Sequence, residues 1–109
     1  MHEMSITQSV VDAVCEAAEG RKVQCVRLQV GKLCAVVPHA MQFCFELATA
    51  GTVAEGATLE IEEPLGRAHC RGCDSDFTLA DLILLCACGS ADVEVVSGRE
   101  LRITSMEVS

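Results

Sequence analysis

Cys70-Arg71-Gly72-Cys73 is followed, after twelve intervening residues, by Cys86-Ala87-Cys88-Gly89. Two close cysteine pairs read as a metal knuckle repeated, and four thiolates are what a closed, tetrahedral structural zinc site requires. Metal would turn a weakly patterned segment into a folded module, because the binding free energy is also folding free energy. Rubredoxin-type iron takes the same four sulfurs. Two disulfides would use them as well, but nothing else in the chain suggests an oxidising compartment. The second pair is Cys-x-Cys rather than Cys-x-x-Cys, a tighter chelate, and Gly89 can take the turn backbone after it. His69, beside Cys70, is a reserve ligand should one cysteine be replaced.

The knuckle segment runs from Arg67 to about Val96, and its cysteine turns bracket Phe77 and Leu79 to Leu85. Ser97-Gly98 marks a turn, and Leu101 to Val108 then reads as a strand with more apolar content than a tail needs. That strand is expected to return to a sheet formed earlier, which makes the knuckle an insertion rather than an appendage. Upstream, Ser5-Ile6-Thr7-Gln8 predicts a capping box opening a helix. Ile6, Val10, Val11, Val14, Cys15 and Ala18 follow on one face, and Gly20 is a plausible stop. Val23 to Val30 alternates as a half-buried strand. Pro38 suits the first turn of a second helix with Met41, Cys44, Phe45 and Ala48 as its apolar stripe, Phe43 and Leu47 beside them, and Gly51 closing it. Ala57 to Glu63 is a further alternating strand. The expected fold is α+β: a small sheet packed by two helices, residues 1–66 plus 97–109, with an inserted zinc-ribbon-like four-cysteine domain at 67–96.

Composition narrows the function. At 109 residues the chain supports one ordinary domain, or one small domain plus a metal-stapled knuckle. Sixteen acidic residues against eight basic ones, a net charge of −8, argue against nucleic acid and against an anionic membrane surface. Such a balance suits a metal ion or a basic protein patch, with Glu60, Glu62 and Glu63 as one acidic run able to face it, or else a solvated strand face. Cys15, Cys25, Cys34 and Cys44 lack chelating spacing and are expected to be buried free thiols. The N-terminus lacks a basic first region and a continuous apolar run, and no stretch approaches the ~20 apolar residues of a membrane span. Cytoplasm is the expected compartment. No Ser/His/Asp set, paired-carboxylate signature or phosphate loop of the form G-x-x-x-x-G-K-[ST] is present, so no catalytic role is expected.

The chain opens Met1-His2-Glu3. A terminal amine, the His2 amide nitrogen and the His2 ring nitrogen can form two fused chelate rings around one ion. Deprotonated amides impose a planar set, and tetragonal nitrogen coordination suits nickel(II) or copper(II). Glu3, through its amide or its carboxylate, can supply the fourth donor. His39, after Pro38, is expected to be solvent-exposed.

Taken together, Met1-His2-Glu3-Met4-Ser5, the helix after it, Val30-Gly31, Met41-Gln42-Phe43-Cys44-Phe45-Glu46, the two cysteine turns including Leu85 to Ser90, Gly98-Arg99-Glu100-Leu101 and Met106-Glu107-Val108 closely resemble the HypA/HybF family of nickel metallochaperones for nickel–iron hydrogenase maturation. The resemblance spans essentially the full length. It implies that His2 is the essential nickel ligand with Glu3 as its neighbour, and that Cys70, Cys73, Cys86 and Cys88 hold a structural zinc. It also implies a nickel domain beside an inserted zinc domain, a HypB-type GTPase partner, and delivery of Ni(2+) to the hydrogenase large-subunit precursor. A monomer or weak homodimer is expected. The shortened second cysteine pair departs from a Cys-x-x-Cys form.

Overall fold

Alternation of apolar and polar residues dictates the first sheet. In the computed structural model, which describes residues 3–109, β1 spans Val23–Val30 and buries Val26, Leu28 and Val30. It is flanked by β2 (Thr58–Glu62) and β6 (Leu101–Val108), in the order β2-β1-β6. The last strand thus joins the sheet begun by β1, as its apolar content predicts. Lys22 O accepts from Ser109 N at 2.9 Å and Glu100 O from Gly31 N at 2.8 Å, the pairing of antiparallel neighbours.

Helix α1 spans Glu3–Ala18 and packs on α2, Pro38–Thr49. α1 is already helical at Glu3, so Ser5 is an interior residue and not a cap. The side chains of the expected box bond elsewhere: Gln8 donates to Asp12 at 2.9 Å, and the Ser5 carbonyl accepts from the Ser9 hydroxyl at 3.1 Å. Glu3 supplies the first-turn acid that favours the positive end of the helix dipole. The buried face is Thr7, Val10, Val11, Val14 and Ala18. It includes Thr7 in place of Ile6 and leaves Cys15 half-buried.

Pro38 opens α2 as expected, after Val37 in the extended backbone a pre-proline residue prefers. Met41, Phe45 and Thr49 face inward, while Phe43 and Leu47 lie exposed. Gln42 donates to the Leu59 carbonyl of β2 at 2.8 Å, tying α2 to the sheet. Of the four cysteines outside the knuckle, Cys25 alone is buried; Cys15, Cys34 and Cys44 are half-exposed, a correction to the expectation that all four are core thiols.

A second three-stranded sheet orders as β4-β3-β5, from β3 (Gly66–Cys70), β4 (Asp76–Leu79) and β5 (Val93–Ser97). β3 pairs antiparallel with both neighbours, Ala68 opposite Phe77 on one side and Val95 on the other. Its core is small: Leu33, Ala68 and Leu79, with Phe77, Leu84 and Val95 partly buried against them. The chain divides into two compact units, residues 1–28, 36–61 and 102–109 in one, and residues 29–35 and 62–101 in the other.

Within the second unit three glycines meet at one crossing. A Cβ on Gly31 would lie 2.0 Å from the Gly98 carbonyl oxygen, and one on Gly98, at φ +117°, would lie 2.4 Å from the Gly66 Cα. The close approach lets Leu33 N donate to Gly98 O at 2.9 Å. Gly98→Ala is therefore expected to cost about 3 kcal/mol or more, because backbone strain and a backbone clash coincide. Gly51→Ala, at φ +78° with nothing within 4 Å of its Cβ, is the control. It should cost only about 1–2 kcal/mol, the left-handed backbone term alone. Denaturant midpoints of the two variants check this; equal losses would show that the crossing tolerates a methyl group.

Candidate metal centre

The knuckle turns are built by backbone hydrogen bonds that the cysteine spacing makes possible. In the first, Cys70 N donates to Ser75 O and Asp74 N to Cys70 O, both at 2.8 Å. In the second, Cys86 N donates to Ser90 O and Gly89 N to Cys86 O, both at 2.9 Å. The second turn closes from residue 86 to 90, the first from 70 to 75, so the Cys-x-Cys pair is the same turn made one residue shorter. Each ends on a left-handed residue, Asp74 at φ 62° and Gly89 at φ 96°. Asp tolerates that region through its short polar side chain, and Gly through having none.

These turns bring together the sulfurs of Cys70, Cys73, Cys86 and Cys88, all within 4.8 Å of one another. Cys70 and Cys86 are buried and Cys73 and Cys88 exposed. Cys70–Cys88 and Cys73–Cys86 are each separated by 3.7 Å. A disulfide needs about 2.05 Å. A tetrahedron with metal–sulfur bonds of about 2.3 Å has edges of about 3.8 Å, so the donor set fits a four-coordinate divalent ion.

Electrostatics agree. The Ser75 hydroxyl, 2.7 Å from the Cys73 sulfur, is the first cause that brings Cys73 down to about 6, helped by the Ser75 amide and the neighbouring thiols. Cys70 is lowered too, first by the Cys73 amide that donates to its sulfur at 3.5 Å. Cys88 moves up to about 12. The Ser90 amide favours its thiolate, but the sulfurs of Cys86, Cys70 and Cys73, together with lost hydration, outweigh that bond. Four thiolates this close repel unless a cation sits among them, and metal binding removes that penalty.

His69, the reserve ligand, is occupied elsewhere. Its Nδ1 lies 2.7 Å from Asp76 Oδ1 and its Nε2 3.0 Å from Asp74 Oδ1. The Asp76 hydrogen bond leads the effects that raise its pKa above the ordinary histidine value. With both ring nitrogens held by carboxylates, His69 is a brace across β3, β4 and the first turn. His39 is exposed at the start of α2, as expected.

Met1 and His2 lie outside the described residues. Glu3 is described: its carboxylate accepts a hydrogen bond from Val37 N, the cap position of α2, at 3.2 Å. That bond, a role the sequence did not reveal, ties the start of α1 to the start of α2.

A thiolate-lined ribbon in a chain that also carries a helix-covered sheet defines a small α+β metal-binding protein. The model for the HypA family, described as hydrogenase/urease nickel incorporation metallochaperone, matches residues 1–108, and the chain belongs to that family. It is 50% identical over 109 residues to the hydrogenase maturation factor HypA of Geobacter sulfurreducens, covering 99% of each chain. It is 46% identical over 108 residues to the HypA of Nostoc sp., covering 99% of this chain and 96% of that one. The solution structure of the nickel metallochaperone HypA from Helicobacter pylori is similar over 99% of this chain and 97% of its own, with a TM-score of 0.67 and 26% identity. The chain is accordingly a HypA-type nickel-incorporation metallochaperone of hydrogenase maturation. Among the described residues no helix is long and apolar enough to cross a membrane.

Proposed function

We propose that this protein binds Ni(2+) through Met1, His2 and Glu3, keeps Zn(2+) in the four-cysteine site, and acts as a carrier rather than a catalyst. The nickel passes, with a HypB-type GTPase, to the large-subunit precursor of a nickel–iron hydrogenase in the cytoplasm. The observation that carries the reading is the closure of the sulfur set. Four donors at tetrahedral spacing leave no open position for exchange, so that site suits a resident ion and is a poor place for cargo. The amine, amide and imidazole nitrogens proposed at Met1 and His2 have the opposite character, because protons compete for them and can displace the ion. The Glu3 carboxylate is engaged at Val37, which favours the Glu3 amide as the fourth nitrogen. That amide lies in the first turn of α1, where N–H groups have no carbonyl one turn back. Residues 67–96, which contain the cysteines, serve in this reading as the inserted zinc domain, and residues 1–66 plus 97–109 as the nickel domain. The chain has no G-x-x-x-x-G-K-[ST] loop, so nucleotide hydrolysis falls to the GTPase. The protein works as a monomer or weak homodimer.

Metal analysis of untagged protein before and after nickel loading tests the division of labour. Isolated protein should contain zinc, and loading should add nickel without displacing it. Chelator should strip nickel first. Nickel that replaces zinc, with thiolate-to-nickel absorption in the near ultraviolet, would assign the cargo to the cysteines instead.

A further inference from the structure

The acidic run of Glu60, Glu62 and Glu63 has neighbours within the fold. Glu60 pairs with Arg27 at 3.0 Å, Glu62 accepts from Gln29 at 2.8 Å, and Glu63 lies 3.8 Å from Lys32. A different acidic site stands open at the C-terminal end of α2. Glu46, exposed, forms no ion pair among the described residues. It sits in the last turns of a helix that has no basic residue there, so its charge meets the negative end of the helix dipole. Across a cleft of about 390 Å³ stands Glu55, with Phe45, Thr49, Ala50, Gly56 and Ala57 completing the wall. The Glu55 carboxylate accepts only a backbone bond, from Gly51 N at 2.9 Å, and the Lys22 ammonium nearby bonds the Glu55 carbonyl. Two carboxylates and a helix C-terminus thus converge on one cleft without a cation paired to them.

The adjoining face of α2 is apolar. Phe43 is 62% exposed and Leu47 54%, while Met41, Phe45 and Thr49 already supply the inward face. The spacing 43, 46, 47, 50 places Phe43, Glu46, Leu47 and Ala50 on one stripe. The chain holds only three aromatic residues, and one of them is placed on this outer surface. An unpaired acid at the wrong end of a helix costs stability, and so does an exposed Phe–Leu pair beside it. A ligand of matching chemistry would offset both.

We propose that this face of α2 and its terminal cleft form a docking site for a protein segment that presents an arginine or lysine next to a large aliphatic side chain. The basic side chain enters the cleft between Glu46 and Glu55, and the aliphatic one covers Phe43 and Leu47. Charge selects the occupant: a second copy would set the same glutamates against each other, and an anionic lipid surface or nucleic acid would be repelled. The site needs neither metal and stands independently of the nickel reading.

The test uses the zinc-loaded full chain, ¹⁵N-labelled, titrated with the peptide acetyl-Leu-Arg-Leu-Leu-Arg-amide. Two controls carry Gln or Glu in place of Arg. Shifts should concentrate on residues 39–57 with the arginine peptide, weaken as salt is raised, and be absent with the glutamate peptide. Glu46→Lys should weaken binding roughly tenfold, and Leu47→Ser by a similar factor. Glu46→Lys should also raise Tm by about 2–8 °C, since a cation suits that helix end. A variant that folds better and binds worse is the signature of a surface kept for a partner. Shifts spread evenly over the acidic surface, binding unchanged in Glu46→Lys, or a Tm lowered by it would each overturn the proposal.

Discussion

Replacing Cys86 with alanine is expected to empty the four-sulfur site of zinc and to unfold the ribbon around it. The three strands of that sheet hold four or five residues each. Its core comprises only Leu33, Ala68 and Leu79, with three half-buried neighbours. Burial of a large aliphatic side chain contributes about 1.5–3 kcal/mol, whereas a structural zinc contributes on the order of 10 kcal/mol. With the metal gone, too little remains to hold the turns. Cys86 is buried and Cys73 exposed, so Cys73→Ala should lose zinc equally while disturbing packing less. Hydrogen exchange reads the result: amides such as Ala68 and Val95 should lose protection in both variants, while Val26 and Leu28 in β1 keep theirs. A zinc-free variant with undiminished protection across residues 66–97 would show that the ribbon folds on its own packing. Chelator should reproduce the unfolding in the native chain, and a reducing agent without chelator should not.

The same comparison explains what was legible in the sequence. In β1 Val26, Leu28 and Val30 alternate with Arg27 and Gln29, enough for period two to stand out, whereas β6 was legible through its apolar content after the Ser97-Gly98 turn; the structure places the two side by side. α2 announced itself through Pro38, whose fixed φ suits a first turn. The ribbon strands did not, because the cysteine turns there do the organising that hydrophobic pattern does elsewhere. The four sulfurs were nevertheless the most readable part of the site. Chelate spacing is local, so Cys-x-x-Cys and Cys-x-Cys write their geometry into the chain. The Glu3–Val37 bond and the His69 brace were hidden for the opposite reason. The first joins residues 34 apart and the second depends on a strand pairing. The expected cap at Ser5 failed because a four-residue motif cannot report that Glu3 already lies within the helix. The partners of the β2 glutamates were hidden similarly, since only the neighbouring strand shows Arg27 reaching Glu60 and Gln29 reaching Glu62.

His2→Ala is expected to abolish tight nickel binding, to leave zinc and fold intact, and to stop hydrogenase maturation. In the proposed site the imidazole would close the chelate ring that holds the deprotonated amide on the metal. Without it the amine and amide compete poorly with water and protons. The four sulfurs and the strands that carry their turns lie within residues 66–97, so zinc content and the protection of β3 are expected to match the native chain. Carrier and structural roles therefore separate in one variant. Extension by one residue before Met1 gives a second test, because it converts the amine into an ordinary amide and should weaken nickel binding while the imidazole stays in place. Glu3→Gln adds a third. Its amide nitrogen is retained, so nickel should still bind, but the charge-assisted bond to Val37 N becomes a neutral one and the anchoring of α1 to α2 loosens. Acid should release nickel from the native chain, because protons compete for the amine and the imidazole as pH falls toward and below the reference histidine value of ~6.5. Titration of the three variants beside the native chain decides the matter. Undiminished affinity in His2→Ala would remove nickel from the N-terminus and direct attention to the exposed His39, since both ring nitrogens of His69 are held by Asp74 and Asp76.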